Sequence, residues 1–280
     1  MHMSVYDFVL SLCLISIAAG LIGSLVGLGG GIIIVPVLTL VYHIDIRLAI
    51  GASILSVIAT SSGAAVAYIR ERLTNLRVGM FLEVATTLGA ITGAYVTTLI
   101  SGNVLFILFA MILIFSALTM FRRRTQNIAP PRSSDSLANR LQLQGSYYDQ
   151  SQRKEIKYKV IGTKLGLFVM YIAGMVSALL GVGSGTLKVP AMDMIMRIPI
   201  KASAATSDFM IGVTAAASAT AYFARGQINP IIAAPIALGV LMGATAGSRL
   251  LNRVTPRYIQ MLFVLVLVVV SLEMLQRGLA

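Results

Sequence analysis

Two glycine-rich motifs, each closed by a proline, interrupt long apolar segments of this chain. The first reads Gly-Leu-Gly-Gly-Gly-Ile-Ile-Ile-Val-Pro over residues 27–36, and the second reads Gly-Val-Gly-Ser-Gly-Thr-Leu-Lys-Val-Pro over 181–190. Glycine weakens a helix, and proline removes a backbone donor and kinks it. In hydrocarbon, a broken helix is tolerated only where protein or a water-filled cavity satisfies the freed backbone groups. One such motif alone would also be typical of a simple kink or a close helix contact.

The two motifs belong to an internal repeat. Residue i of the first half corresponds to residue i + 154 of the second (181 − 27 = 154), and the register holds without a gap over residues 20–93 and 174–247. The identical positions include Gly27/Gly181, Gly29/Gly183, Gly31/Gly185, Pro36/Pro190, Ser53/Ser207, Thr60/Thr214, Tyr68/Tyr222 and Gly89/Gly243. So long a register indicates duplicated halves. Paired, glycine- and proline-interrupted apolar segments at corresponding places indicate the binding site of a secondary transporter.

The composition places these halves in a membrane. Hydrophobic residues make up 57% of the chain and charged residues only 11%, whereas soluble domains carry roughly 25% charged residues. The net charge of +12 comes from cations in the polar loops, as in membrane proteins, so no nucleic-acid partner is expected. One cysteine, Cys13, and two histidines, His2 and His43, exclude an intrachain disulfide and a cysteine or histidine metal cluster. No cofactor is expected, and the first apolar segment lacks the features of a cleaved signal.

A membrane-spanning helix needs about 20 apolar residues, which sets the predicted spans. After a broken segment from about residue 5 to 42, the first half predicts spans 48–69, 78–100 and 103–121. The second half repeats this order with a broken segment at 160–196 and spans 202–223, 229–250 and 258–276. The predicted organisation is a first transmembrane repeat (1–121), a basic linker (122–159) and a second transmembrane repeat (160–280).

The linker fixes the predicted topology. Nine lysines and arginines stand against three acidic residues in 122–159, so we expect a solvated cytoplasmic segment, with partial disorder around Pro130-Pro131. If the broken segment 160–196 crosses once, the halves are parallel. If it enters and returns, or crosses twice, they are inverted, and five further cations lie on the cytoplasmic side against two outside. These five are Arg197, Lys201, Arg249, Arg253 and Arg257.

The charge rule therefore favours the inverted arrangement. The predicted fold is an all-α polytopic membrane protein of two inverted-topology repeats, each with a broken first segment. It has about ten helices if each broken segment counts as two. Both termini are then expected outside.

The glycine runs are also the predicted binding site. A segment that stops at a glycine run exposes unpaired backbone N–H groups, and a half-helix beginning there adds its positive end, which suits an anion. The predicted substrate-binding residues are the motif glycines and prolines with the hydroxyl and lysine side chains beside them. They are Gly27, Gly29, Gly30, Gly31, Pro36, Ser53, Gly181, Gly183, Ser184, Gly185, Thr186, Lys188, Pro190 and Ser207.

Charged residues inside the predicted spans are the remaining candidates, because such residues are costly in hydrocarbon. Lys188 either contacts substrate, or snorkels to an interface, or makes a structural pair. Asp208 is the expected buried carboxylate, which could pair with Lys188, carry a coupling proton, or both. Glu83 follows Arg77 by less than two turns and is expected at the interface.

The two motifs, one opening each half, resemble those of the TauE/SafE family of sulfite exporters, also called the toluene-sulfonate uptake permease family. The resemblance covers the chain apart from the linker. It implies an inner-membrane transporter of sulfur-containing anions such as sulfite, thiosulfate, sulfoacetate and organosulfonates, with members acting in either direction. The second motif departs from the first by carrying Ser184 at the place of Gly30, so the motif does not specify the substrate.

We therefore expect a secondary transporter of a small sulfur-containing anion, with its site between the halves near mid-membrane. Three alternatives stay open: a transporter of another small organic anion, a non-transporting membrane scaffold and an intramembrane enzyme. The enzyme has little support, because the spans hold no histidine base and the spacing of Ser184 and Lys188 occurs often by chance. Direction, coupling ion and oligomeric state are not encoded in any recognisable pattern.

Overall fold

The computed structural model of the chain describes residues 5–26, 30–122, 135–149, 153–250 and 256–279. The first half contains α1 (Val5–Val26), α2 (Gly31–Pro36), α3 (Ile46–Arg70), α4 (Leu76–Val96) and α5 (Gly102–Arg122). The linker contains α6 (Ser136–Arg140), β1 (Gly145–Asp149) and β2 (Lys154–Tyr158). The second half contains α7 (Thr163–Leu180), α8 (Gly185–Pro190), α9 (Ile200–Ala224), α10 (Pro230–Leu250) and α11 (Pro256–Leu279).

The prediction of an all-α polytopic membrane protein is confirmed. Within the described residues, six helices are long and apolar enough to cross a membrane, judged by length and composition. These stretches are Tyr6–Ser24, Ile46–Arg70, Leu76–Val96, Gly102–Thr119, Thr163–Leu180 and Pro230–Gly247. Helices α9 and α11, of 25 and 24 residues, occupy the places in the second half that α3 and α5 occupy in the first.

The prolines of the two motifs act on the helix geometry in the same way. Helix α2 continues past Pro36 as a π-helical turn, Val37–Val41, and α8 continues past Pro190 as the turn Ala191–Ile195. Proline has no N–H to donate to the preceding turn, which loosens the helix at that point. The wider i→i+5 bonds follow, from Tyr42 N–H to the Val37 carbonyl at 3.3 Å and at the equivalent place in the second half.

Each broken segment returns to the end at which it began. In the first half, the rings of Phe8 and Tyr42 meet edge to face with centroids 5.2 Å apart. In the second half, the Ile161 N–H donates to the Met196 carbonyl at 3.3 Å. Both segments are therefore hairpins of one long and one short arm, and the alternative of a single crossing does not apply.

Corresponding helices of the two halves run in opposite directions where they touch. Gly51, early in α3, lies beside Gln227 just past the end of α9, while the hydroxyl of Ser61 reaches the Asp208 carbonyl nearer the start of α9. Helices α5 and α11 are also antiparallel, since Gly278 packs on Asn103. Antiparallel counterparts are the relation that inverted halves require.

The halves also exchange helices across their boundary. Helix α1 packs on α10, and its counterpart α7 packs on α4, while α3 and α9 lie against each other between these pairs. Glycines allow the backbones to approach: a Cβ at Gly89 would overlap the Tyr171 carbonyl, and one at Gly243 would overlap the Ile17 carbonyl. Helices in lipid associate through close packing of this kind, because lipid tails are as apolar as the helix surfaces and no hydrophobic effect drives the helices together.

Part of the linker is folded, contrary to the expectation of a solvated segment. Strands β1 and β2 form an antiparallel hairpin in which Tyr147 and Tyr158 are buried against the helix ends. The Asn75 side chain, from the α3–α4 loop, donates to the Leu143 carbonyl and to the Tyr158 hydroxyl. We call residues 135–149 and 153–158 the linker cap. Pro130-Pro131, where disorder was predicted, lies outside the described residues.

Asp135 joins the linker cap to the second half. Its carboxylate accepts from the Ala138 N–H at the start of α6 and from the N–H and hydroxyl of Thr163 at the start of α7. Burial acts to raise the pKa of Asp135, but the hydrogen bonds from Thr163 and Ala138 outweigh it and lower the pKa below its usual value. The cap thus holds the start of α7 through a carboxylate that stays ionised.

The glycine contacts between swapped helices give the first prediction. In Gly89→Ala, the new methyl group overlaps the α7 backbone, so α4 and α7 must separate, at a cost of about 1–3 kcal/mol. The matched control is Gly63→Ala, where the nearest atom to a new Cβ is 3.6 Å away. Thermal unfolding in detergent should show a lower midpoint for Gly89→Ala and a wild-type or higher midpoint for Gly63→Ala. Equal midpoints would mean that the close approach does not matter.

Candidate functional site

The two glycine runs meet in the middle of the molecule. A Cβ at Gly31 would lie 2.6 Å from the Gly181 carbonyl oxygen and 2.7 Å from the Ser53 Oγ. Ser53 Oγ donates to the Gly181 carbonyl at 2.7 Å and lies 3.3 Å from that of Gly31. Gly181 itself has φ +63°, a conformation that favours glycine. Glycine is thus needed on both sides of this contact, by space at one residue and by conformation at the other.

The runs lie at the depth of the centres of α3 and α9. The Gly30 N–H donates to Thr60 Oγ1 at 3.3 Å, and Thr60 lies well inside the 25-residue helix α3. This hydroxyl therefore satisfies a backbone donor that the broken helix leaves free. Of the remaining predicted site residues in the first motif, Pro36 lies at the end of α2, and Gly27 and Gly29 lie outside the described residues.

The second motif supplies more polar side chains than the first. Gly183, Ser184 and Gly185 lead into α8, which carries Thr186 and ends at Pro190. Ser184 and Ser207 are buried, and within the described part of the chain their hydroxyls have no hydrogen-bond partner. A buried hydroxyl without a partner carries a desolvation cost that a bound ligand would relieve. By contrast the hydroxyl of Ser53, the counterpart of Ser207, donates a hydrogen bond to the Gly181 carbonyl.

Lys188 is fully buried and paired. Its Nζ donates to Thr214 Oγ1 at 2.6 Å, that hydroxyl lies 2.7 Å from Glu83 Oε1, and the Nζ lies 4.0 Å from Glu83 Oε2. Thr87 Oγ1 donates to the same Oε1 at 3.1 Å. With an exposed fraction of 0%, Lys188 does not snorkel to an interface, so that alternative is removed. A charge held this deep is by default a functional candidate.

The expected partner of Lys188 was wrong. Glu83, predicted at the interface, is buried on α4 and pairs with Lys188, whereas Asp208 forms no ion pair with Lys188 among the described residues. Asp208 is buried too, and its backbone carbonyl accepts from Ser61 Oγ. Asp208 was the expected partner because it lies close to Lys188 in the sequence. Glu83 was missed because a local pattern does not show that α4 of the first half packs against the second half.

The repeat contained the signal that would have identified Glu83. The counterpart of Lys188 is Ile34, and the counterpart of Glu83 (83 + 154 = 237) is Ala237. Only the hydroxyl is shared, as Thr214 in one half and Thr60 in the other. Both charges are therefore present in one corner of the duplicated fold and both are replaced by apolar residues in the other, as expected for a pair.

Comparisons with known proteins agree with this architecture. A family model described as sulfite exporter TauE/SafE matches residues 12–274. The chain is 26% identical over 274 residues to the probable membrane transporter protein YunE of Bacillus subtilis, covering 95% of this chain and 97% of that protein. It is also similar to YdhB of Bacillus subtilis (22% identical; 85% and 89% covered) and to a Methanocaldococcus jannaschii protein (22%; 96% and 97%), both named probable membrane transporter proteins.

These names indicate a membrane transporter and not an enzyme. No solved structure matches the chain significantly.

The buried pair gives a double-mutant prediction. Lys188→Ile or Glu83→Ala alone leaves one buried charge without its partner and should lower the unfolding free energy by about 3–5 kcal/mol. The combination of both reproduces the residues of the other corner and should recover most of that loss. As a control, Thr87→Val keeps the ion pair and removes one hydrogen bond, worth about 1 kcal/mol. Denaturant unfolding in detergent measures all four, and simple additivity of the two single losses would contradict a coupled pair.

Proposed function

Because the chain belongs to the sulfite exporter TauE/SafE family, we propose that it is a secondary transporter of a small sulfur-containing anion. Sulfite, thiosulfate and organosulfonates form the proposed substrate class, and the inner membrane is the proposed location. The names of the similar proteins support transport, and the substrate class rests on the family description together with the chemistry of the site.

One observation carries the proposal: two glycine runs meet at mid-depth, and the second leads to a buried lysine and to buried hydroxyls that make no hydrogen bond within the described residues. A sulfonate or sulfite group is compact and has several strong acceptor oxygens around one centre. Lys188 Nζ, Ser184 Oγ and Ser207 Oγ are donors of the kind that such oxygens accept. The glycines allow the substrate to approach the backbone closely, which side chains at those positions would prevent.

The site as folded is closed. Ser53, Ser207 and Lys188 each have an exposed fraction of 0%, so an anion reaches the glycine runs only when helices part on one side. We assign this conformation to the occluded stage of an alternating-access cycle. Movement of the short hairpin arms α2 and α8 relative to α3 and α9 is the proposed opening step, because these arms are short and loosened by proline.

We further propose an inverted topology with the linker cap in the cytoplasm. Antiparallel α3 and α9 support inversion, and the charge distribution supports the orientation. The cations at the end that carries the linker cap are Arg70, Arg72, Arg77, Arg140, Arg153, Lys154, Lys157, Lys159, Lys164, Arg197 and Lys201. Those at the opposite end are Arg47, Arg225 and Arg277. Arg253 lies outside the described residues, as do the side chains of Arg249 and Arg257.

The substrate class is tested with a panel of anions on purified protein in proteoliposomes. Sulfite, thiosulfate, methanesulfonate and sulfoacetate should be taken up, and acetate and succinate should be taken up at least about tenfold more slowly. Lys188→Met should lose binding of the sulfur anions, because the buried donor charge is gone. Its control is Lys164→Met, which removes an exposed lysine at the start of α7. Preference for the carboxylates would favour the alternative of another organic anion, and no uptake of either would contradict transport.

The orientation is tested by labelling with an impermeant thiol reagent in intact cells. In a Cys13→Ser background, single cysteines replace Tyr6, Leu279 or Tyr148, each of which is exposed. Cysteines at 6 and 279 should be labelled in intact cells, and a cysteine at 148 only after permeabilisation. Labelling of position 148 in intact cells would place the linker cap outside and overturn the proposed orientation.

A further inference from the structure

One oxygen of the buried Glu83 carboxylate makes no hydrogen bond within the described residues. Glu83 Oε1 receives the hydroxyls of Thr214 and Thr87, at 2.7 and 3.1 Å. Glu83 Oε2 is buried and, within the described residues, makes no hydrogen bond; its nearest charged neighbour is Lys188 Nζ at 4.0 Å. An ionised carboxylate oxygen left unbonded in a dry interior is costly. The geometry thus holds one oxygen firmly and leaves the other open on the side of the lysine.

The fold does not need charges at this place. The equivalent corner of the duplicated structure holds Ile34 and Ala237 where this one holds Lys188 and Glu83. There, Thr60 accepts from the backbone N–H of Gly30, whereas Thr214 accepts from the lysine. Replacing a buried ion pair by apolar residues is often neutral or stabilising. A charged corner beside an equivalent uncharged one therefore indicates a task other than holding the helices together.

Charge balance suggests what that task is. Without substrate, Lys188 as ammonium and Glu83 as carboxylate together carry no net charge. An anion that binds the ammonium leaves the cluster with a net negative charge in a low-dielectric interior, which is strongly unfavourable. When the anion carries a single negative charge, one proton on Glu83 restores neutrality. It would occupy the open oxygen, since the other is already held by two hydroxyls.

We propose that Glu83 is the proton-coupling residue of the transporter. Its carboxylate takes up a proton when the substrate anion replaces Glu83 as the partner of Lys188. This inference rests on the proposed anion transport. In the step, a proton from water on the side open to the site bonds to Oε2, and the carboxylic O–H and the Lys188 ammonium both donate to the anion. On the other side the anion leaves, the O–H bond breaks with its proton passing to water, and the Lys188–Glu83 pair re-forms. Anion and proton move in the same direction.

The neighbouring titratable groups leave Glu83 as the candidate. On α9, Asp208 is buried but forms no ion pair with Lys188 in the part of the chain that the structure describes. On α7, the Tyr171 hydroxyl donates to Thr92 at 3.1 Å, two turns along α4 from Glu83. In the π-helical turn, Asp193 follows Lys188 by five residues and has a partner of its own. Among the described residues, the ion pair inside the helical bundle is that of Lys188 with Glu83.

The first experiment uses the wild-type protein, so it does not depend on a variant folding. Methanesulfonate and thiosulfate serve as probes, because both are anions of strong acids and bind no proton near neutral pH. In weakly buffered detergent solution with a pH indicator, binding of the singly charged methanesulfonate should take up about one proton per anion. In proteoliposomes, an acidic exterior should drive accumulation of the probe and acidify the interior. Transport without proton uptake or interior acidification would overturn the coupling while leaving the anion transport intact.

Variants then locate the proton. Glu83→Gln resembles the protonated acid, so it should still exchange internal for external probe but lose pH-driven accumulation and proton uptake on binding. Glu83→Asp keeps a titratable group and should retain a measurable proton uptake. Glu71→Gln, an exposed carboxylate in the α3–α4 loop, is the matched control and should accumulate the probe as wild type does.

Two results would overturn this assignment. One is pH-driven accumulation by Glu83→Gln at the wild-type level. The other is loss of accumulation in Asp208→Asn with Glu83→Asp and Glu83→Gln unaffected, which would move the coupling site to Asp208. Failure of the wild-type protein to bind or exchange either probe, or any anion of the panel, would instead contradict the proposed anion transport itself, so the two failures are distinguishable.

Discussion

Backbone groups released from a helix inside a membrane must find partners within the protein, and this constraint shapes the centre of the molecule. The glycine runs release such groups at mid-depth, and hydroxyls of the neighbouring helices take them: Thr60 accepts from Gly30, and Ser53 donates to Gly181. At the hairpin end, Arg277 donates to the Thr39 and Leu40 carbonyls that the π-helical turn frees. Hydroxyls on α3 therefore help to make the breaks possible.

Comparing the two halves of the repeat shows which polar side chains the shared backbone architecture does not require. Two equivalent corners provide an internal comparison: each has the glycine run, the proline and the threonine, but only one has Lys188 and Glu83. In the first half, the hydroxyls of Ser53 and Thr60 serve the backbone. In the second, Ser184 and Ser207 lack partners among the described residues, and Thr214 serves a side chain. The hydroxyls of one half thus serve the backbone, while the other half carries the buried lysine and the hydroxyls that make no hydrogen bond within the described residues.

The sequence predicted features that depend on local pattern or on the repeat register. The membrane class, the broken segments, the helices of both halves and the convergence of the two runs all follow from periodicity, glycine and proline placement and charge distribution. The partner of Lys188 and the folded linker cap did not follow. Glu83 reaches Lys188 only because α4 packs on the opposite half, and the cap is buried through Tyr147 and Tyr158 in a stretch whose average composition is polar. Both depend on long-range packing, which a window of sequence does not contain.

The exchange of helices between halves bears on how such a chain could have arisen. Helix α1 finds its closely packed partner in α10, and α7 finds its own in α4, so neither half alone covers its glycine faces. A single ancestral half would have exposed those faces to lipid unless a second copy, oppositely oriented, supplied the missing helix. The contacts have the self-complementary form of a two-fold dimer. A single chain is thus organised like an antiparallel dimer of its two halves, joined by the segment that contains the linker cap.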